Sequence, residues 1–546
     1  MTGKLIERAP AACNSPLLIG SLLEAGVARA PQEQIVSANQ RRLVYRDLGE
    51  RVGRLAAALA GLGVRPGDVV GVMDWDTHRY LECYFAVPML GAVLFTINVR
   101  LSAEQILYTI NHAEASVLLV NAAFLPILEL EWERVAPGKK LVLLNDSETG
   151  PKTTLPLCAE YEAMLAAADP RFRFPELDEN TLATVFYTTG TTGLPKGVYY
   201  SHRQLVLHTL ALRAALTGPG HGRLNEDGVY MPLTPMFHVH AWGMPYLATM
   251  LGVKQVYPGR YVPDALVDLI LRERVNFSHC VPTILQMVLA SARSKGVALS
   301  GWSVVIGGSA MPQELARQAL ELGVDVFGGY GMSETCPVLT LARLTPEAEG
   351  WDIDRQLEVR CKAGRAIPMV QLRIVDEAMN DLPHDNVSQG EVVARAPWLT
   401  QGYWHDAQSS AMLWSGGWLR TGDLGVMDDA GYLRITDRIK DVIKTGGEWV
   451  SSLDLENLIS KHSDVAEVAV IGVPDPKWTE RPLAVVVAKA GNESMEAGIK
   501  ALLGELAAEG VIPRYWVPEH IVLAEELPKT SVGKVDKKAL RRIYGT

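Results

Sequence analysis

From residue 187 to 197 the chain reads Tyr-Thr-Thr-Gly-Thr-Thr-Gly-Leu-Pro-Lys-Gly. Hydroxyls from Thr188, Thr189, Thr191 and Thr192, three glycines (Gly190, Gly193, Gly197) and Lys196 follow one another without an acidic residue. Glycines let backbone N–H groups approach a ligand, hydroxyls add donors, and an ammonium supplies opposing charge, so the run suits phosphate oxygens. It is not the common G-x-x-x-x-G-K-[ST] loop, because Pro195 precedes Lys196 and Gly197 follows it. A flexible Gly/Thr surface loop is the plain alternative. Further on, Tyr330 stands among Gly328, Gly329 and Gly331, where its ring could lie flat against an adenine. Glu334 offers a hard carboxylate oxygen of the kind that magnesium takes alongside phosphates, although a G-x-S-E turn by itself is more often an ordinary loop. Thr421-Gly422-Asp423 sets a carboxylate on a tight turn, where it can accept from two ribose hydroxyls, although Gly-Asp turns are common in ordinary loops. His238 and His240, two residues apart, would share one face of a strand and could pair on a metal, although no third ligand lies close by in sequence. Taken alone, His238 reads equally as a structural histidine.

These runs, taken together, resemble the motifs of the adenylate-forming superfamily, which holds acyl-CoA synthetases, beetle luciferases and the adenylation domains of peptide synthetases. They occur in that superfamily's order between Tyr187 and Lys534, whereas the segment before Tyr187 is similar only in texture. The resemblance implies ATP, Mg²⁺ and coenzyme A as cofactor and co-substrates, with Thr188 and Glu334 nearest the magnesium. It implies a nucleotide site at Thr188, Thr189, Gly190, Thr191, Thr192, Gly193, Lys196, His238, Gly308, Ser309, Gly329, Tyr330, Gly331, Met332, Ser333, Thr335, Asp423 and Arg438. Residues 237–242 resemble the FHxxxW-type motif of fatty acyl-CoA synthetases, which would place His238 beside the adenylate and make Trp242 the gate of an acyl tunnel. Lys440 falls at the hinge position of that family; a solvated charged turn is the other reading. Lys444, Gly446, Gly447 and Trp449 would face the coenzyme A channel or the nucleotide. Lys534, in a Pro-Lys-Thr-x-x-Gly-Lys context, resembles the lysine of the first half-reaction and joins His238, Lys196 and Glu334 as catalytic candidates.

The implied reaction has two steps. A carboxylate attacks the α-phosphate of ATP to give acyl-AMP and pyrophosphate, and the thiol of CoA then displaces AMP. Peptide-synthetase adenylation domains place an aspartate where this chain has His238, which argues against an amino acid. Val239, Trp242, Met244 and Tyr246 suggest an apolar tunnel for a medium- or long-chain fatty acid. A short thioether acid, an aryl carboxylic acid, a luciferase-like oxygenation and a non-catalytic fatty-acid or nucleotide binding role are the alternatives. Pairing as a homodimer follows from the resemblance alone.

Elements of definite kinds must hold these groups. Residues 181–186 are β-branched and apolar, a buried strand leading into the Thr/Gly run. Leu48, Val52, Leu55, Leu59 and Leu62 recur at helical spacing, closed by Gly61 and Gly63. Helix then strand repeats through residues 80–97 and 103–121, and again through 266–281 and 303–306, which predicts layered α/β with largely parallel sheets. From residue 372 to 435 short strands with frequent Gly and Asp predict a small β-rich subdomain. The charged stretch 437–441 marks a boundary. The expected organisation is an N-terminal domain over residues 1–437, with the β-rich part at about 360–437, and a mobile α+β C-terminal domain over 438–546. Residues 347–362 carry no clear pattern.

Length and composition bound the reading. At 546 residues the chain exceeds one ordinary domain, and 48% hydrophobic residues permit a large core. A net charge of −10 disfavours nucleic acid and anionic membranes as partners. Six scattered cysteines form no C-x-x-C pair and read as core thiols of a reducing compartment. The most apolar run, 83–99, is interrupted by Pro88 and Gly91 and reads as a buried helix-to-strand unit. A soluble, cytoplasmic protein is expected.

Overall fold

The computed structural model describes residues 3–4, 6–37, 41–147, 149–188, 194–218, 222–446, 448–489, 495–530 and 533–545. Among them the strands form four sheets, of seven, nine, five and five strands. The seven-stranded sheet ends in an antiparallel hairpin, Leu182–Thr188 against Lys196–Ser201, with Thr188 opposite Lys196. Thr188 and Lys196, from the two ends of the Thr/Gly run, thus lie on paired strands. Its other strands, among them Val69–Met73, Val93–Thr96 and Ala115–Asn121, are parallel. Val69–Met73 and Val93–Thr96 are buried on both faces, which is why they read as continuous apolar runs.

In the nine-stranded sheet Val229–Pro232, Phe277–Cys280, Ser303–Ile306 and Asp325–Gly331 lie parallel and adjacent. Their carboxyl ends lead into residues 233–243, 281–283, 307–309 and 332–335. Ligands of open α/β sheets gather at such ends. The two large sheets share one apolar core, in which Tyr84 of the helix His78–Met89 stacks on Tyr246 of the helix Met244–Leu251, ring centres 5.3 Å apart.

The β-rich part is present: Gln371–Val375, Gly390–Arg395, Trp418–Met427 and Leu433–Arg438 pair antiparallel. A helix at Ala407–Leu413 inside it carries no clear sequence signal. Beyond it, Ile443–Thr445, Val465–Asp475, Thr479–Ala488 and His520–Leu523 form a sheet covered by the helices Ser452–Ser460 and Met495–Ala508 around a separate apolar cluster. A large α/β part followed by a smaller α+β part is thus the architecture.

Local chemistry accounts for several element ends. Ser102 caps Ala103–His112 by accepting from the Gln105 N–H at 3.3 Å, and Gln105 reaches back to the Ser102 N–H. Asp352 caps a helix at Ile353–Arg360, which resolves the patternless stretch 347–362. Residues 83–99 form the end of the helix His78–Met89 and the strand Val93–Thr96, and no helix among the described residues is long and apolar enough to cross a membrane.

Two expectations fail. Cys13 and Cys158 are exposed, so only Cys83, Cys280 and Cys336 are fully buried thiols, with Cys361 partly so. Cys13 lies in a solvent-facing N-terminal segment and Cys158 on the edge strand Leu157–Glu160 of the seven-stranded sheet. His238 and His240 are not on a strand either. Val239, His240, Ala241 and Trp242 have φ of 47°, 53°, 46° and 59°, a single left-handed turn closed by Gly243 at 72°. Residues of a helical turn diverge at two positions apart, so the two histidines share no face. Among the described residues no group of three metal-ligating side chains is found.

Candidate active site

The phosphate-type lysine is well defined. Lys196 opens the return strand of the hairpin, and its ammonium donates to Ser409 Oγ at 2.6 Å and lies 4.0 Å from Asp406 and 4.9 Å from the ring centre of Tyr403. Tyr403 donates its hydroxyl proton to Glu334 Oε1 at 2.7 Å. Glu334 sits in the short 3₁₀ turn Ser333–Thr335, buried at 7% exposure. Burial raises its carboxyl above the usual range, while Tyr403 and Arg438 hold it down. Thr188, across the hairpin from Lys196, is half-buried. A buried carboxylate with one hydroxyl partner is a donor that fits a hard divalent cation completed by phosphate oxygens. Thr189, Gly190, Thr191, Thr192, Gly193 and Gly447 lie outside the described residues.

Tyr330, Asp423 and Arg438 form a second group. Tyr330 donates to Asp423 Oδ2 at 2.7 Å, and Arg438 Nε stands 3.2 Å from Asp423 Oδ1. Asp423 and Arg438 face each other across paired strands. Gly329 and Gly331 admit close neighbours: a methyl on Gly331 would stand 1.7 Å from the Pro337 carbonyl oxygen. Met332 N–H donates to Thr335 Oγ1 at 3.0 Å, and Ser333 O accepts from Tyr200 at 2.5 Å, which fixes the turn that carries Glu334.

The tail lysine reaches the same place. Lys534 follows Gly533, whose φ is 81°, and a methyl on Gly308 would lie 3.0 Å from Lys534 Cε and 3.6 Å from its Nζ. Gly533 O accepts from Thr283 at 3.3 Å, which docks the tail on the end of the central strands. Burial brings the Lys534 ammonium down to about 8; Arg438 and Lys440 push the same way, and Asp423 and Glu334 pull it back. His238 is held neutral down to about 3 by burial, with Lys534, Arg100 and His240 adding to it. Ser309 is exposed beside Gly308. Trp242 packs its ring near Gly307, where a methyl would stand 2.9 Å from Cη2, and lies 4.9 Å from His279.

Not every expected residue joins this cleft. The Lys444 N–H donates to Glu480 at 2.9 Å and the Gly446 N–H to Trp478 O at 2.7 Å, both within the C-terminal sheet. Trp449 pairs with Lys444 in that hairpin and is 42% exposed. Lys440 occupies the turn after Leu433–Arg438. Conversely, Tyr403, Ser409 and Asp406 have no motif that marks them, and Thr283 is an ordinary helix-start residue.

The whole chain has known counterparts. Residues 23–404 match the AMP-binding enzyme family and residues 454–534 the AMP-binding enzyme C-terminal domain. The chain belongs to the AMP-binding enzyme family. A long-chain-fatty-acid–CoA ligase of Thermus thermophilus is 41% identical over 535 residues, covering 97% of this chain and 96% of that protein. A 3-methylmercaptopropionyl-CoA ligase of Ruegeria lacuscaerulensis is 39% identical over 536 residues, covering 96% and 97%. The solved structure of the anthranilate CoA ligase AuaEII with anthranoyl-AMP superposes with a TM-score of 0.85 at 24% identity over 97% of this chain and 98% of that one, a likeness of fold. This member is an AMP-forming acid–CoA ligase, which makes an acyl-CoA through an acyl-AMP and uses ATP, Mg²⁺ and CoA.

Proposed function

We propose that this ligase activates a medium- or long-chain fatty acid, and that Lys534 performs the first half-reaction from a C-terminal domain that begins at Arg438. The observation that carries the reading is the seating of Lys534 against Gly308, with His238, Glu334, Asp423 and Arg438 around it. An ammonium there can bridge the substrate carboxylate and the α-phosphate and offset charge as the new P–O bond forms and the bond to pyrophosphate breaks. Lys196 and the Thr/Gly run hold the β- and γ-phosphates, Tyr330 and Gly308 flank the adenine, and Asp423 with Arg438 takes the ribose. Magnesium held by Glu334 and Thr188 would neutralise the phosphate oxygens. Neutral His238 contributes a hydrogen bond to the adenylate rather than a charge. The C-terminal domain then turns about Lys440, withdrawing Lys534 and presenting the Gly446–Gly447 face to coenzyme A.

An apolar wall at Val239, Trp242 and Met244 supports a fatty acyl chain. One observation favours a second reading: the thioether-acid ligase relative is nearly as similar as the long-chain one, so a short thioether acid is the alternative substrate. A cytoplasmic location fits the chain, and a homodimer of twice 59.6 kDa is the expected assembly, which sedimentation would measure. The central test is Lys534→Ala. Pyrophosphate release from ATP and a fatty acid should be abolished, while thioester formation from supplied acyl-AMP is largely spared. Equal loss in both steps, or release of ADP and phosphate by the wild type, would overturn the assignment. A pyrophosphate-release screen over acids of rising chain length decides the substrate.

A further inference from the structure

The segment 398–410 fastens together two elements from different sheets. On one side the Trp404 N–H donates to Gly197 O at 2.7 Å, and Thr400 donates its hydroxyl proton to Tyr199 O at 3.0 Å, both on the strand that Lys196 opens. On the other side the Thr400 N–H donates to Glu334 O at 3.1 Å and the Trp398 indole to Thr335 O at 3.1 Å. Tyr403 stands between the two. Its hydroxyl donates to Glu334 Oε1 and its ring lies under the Lys196 ammonium.

From this we infer that Tyr403 is a positioning residue for adenylate formation, setting the phosphate-loop lysine with its ring and the Glu334 carboxylate with its hydroxyl. The inference rests on the roles proposed above for Lys196 and Glu334. A phenol is suited to both duties. Its face attracts a cation without any competing hydrogen bond. Its hydroxyl anchors one carboxylate oxygen, so that Glu334 meets a cation in one orientation instead of several. Ser409 and Asp406 also hold the ammonium and have no contact with Glu334 among the hydrogen bonds and ion pairs described for them.

The two duties separate by substitution. Tyr403→Phe keeps the ring and removes only the link to Glu334. Its half-saturating Mg²⁺ for pyrophosphate release should rise about tenfold, as for a lost hydrogen bond to a charged group, whereas calorimetric binding of ATP in EDTA stays at the wild-type value. Tyr403→Leu should weaken ATP binding in EDTA as well. Glu334→Gln should raise the Mg²⁺ requirement by itself, and Tyr403→Phe should add little on that background. If Tyr403→Phe leaves the Mg²⁺ requirement unchanged while Glu334→Gln raises it, the positioning role is wrong and the site reading stands. If Glu334→Gln also leaves it unchanged, the site reading falls and the inference with it. A loss of metal-free ATP binding in Tyr403→Phe equal to that in Tyr403→Leu would show general damage and overturn the division of duties.

Discussion

Gly307→Ala tests whether Trp242 borders the acyl chain. A methyl at Gly307 would stand 2.9 Å from Trp242 Cη2, 3.4 Å from Cζ3 and 2.9 Å from the Gly329 carbonyl oxygen. Carbon atoms in contact rest about 3.5–4.0 Å apart, so the neighbours must yield by roughly 1 Å. The Gly329 carbonyl belongs to a central strand, and the indole is the softer partner. Its retreat toward His279 is blocked: that ring is 4.9 Å away and is pinned by Tyr230 at 2.8 Å and Thr234 at 3.0 Å. The indole must then move toward the space proposed for the acyl chain. Overpacking of this kind costs about 1–3 kcal/mol, or roughly 5- to 150-fold in kcat/KM at about 1.4 kcal/mol per tenfold. The assay is kcat/KM for pyrophosphate release across acetate, hexanoate, dodecanoate and hexadecanoate. The loss should grow with chain length and be small for acetate. Trp242→Phe lacks Cη2 and Cζ3 and should restore part of the loss for long acids in the Gly307→Ala background, a non-additivity of about 1 kcal/mol or more. An equal loss for all acids with no rescue would place the damage in the nucleotide site and refute the tunnel wall.

Two further outcomes are expected. Lys534 is useful as an ammonium, and a lysine is charged below its pKa; with that value lowered to about 8, pyrophosphate release should hold on the acid side and fall as pH rises through about 8. Thioester formation from supplied acyl-AMP should lack that limb, and Lys534→Arg should move it upward, because a guanidinium stays charged. Separately, Glu82→Ala should destabilise the fold by about 3–5 kcal/mol in denaturant titration. Glu82 is fully buried and accepts from Arg51 Nε at 2.6 Å and from the Tyr161 hydroxyl at 2.6 Å, so its removal strands part of a buried guanidinium; activity per folded molecule should be kept.

Elements whose apolar residues repeat at 2 or 3.6 positions were legible in the sequence, because one buried face imposes that repeat. Thus Ala103–His112 lies where its helical repeat puts it, whereas Val69–Met73 and Ser303–Ile306 were legible as continuous apolar runs of buried strands. Lys534, Glu334 and Asp423 were legible as motifs, and the structure brings them to one cleft. Tyr403 was not, because its two partners lie 207 and 69 residues away and its own neighbours carry no repeat. The amphipathic helix Lys537–Tyr544 was missed for a different reason: only Leu540 is buried in it, so the apolar signal is nearly absent.

The left-handed turn at Val239–Trp242 shows why local reading must fail at a site. Each residue there costs about 1–2 kcal/mol relative to an ordinary conformation, and none is a glycine. Such backbone persists only where its surroundings over-determine it. Three clamps do so: Asp76 accepts from the Met236 N–H at 2.8 Å, Tyr84 donates to Met236 O at 2.5 Å, and Thr96 donates to Phe237 O at 2.9 Å. All three come from 141 to 160 residues upstream: Thr96 from a strand of the other large sheet, Tyr84 from the helix His78–Met89 and Asp76 from the loop before that helix. The clamped turn separates the two histidines. His240 goes into the core, with its ring 5.1 Å from Phe186 and 5.8 Å from Tyr84, while His238 stays close enough to Lys534 to feel its charge. It also lays Trp242, four residues after His238, against Gly307. An alternation written for a strand would have given both histidines one role. The strained turn gives one of them to packing and leaves the other in the cleft, and contacts from residues 141 to 160 positions upstream decide which.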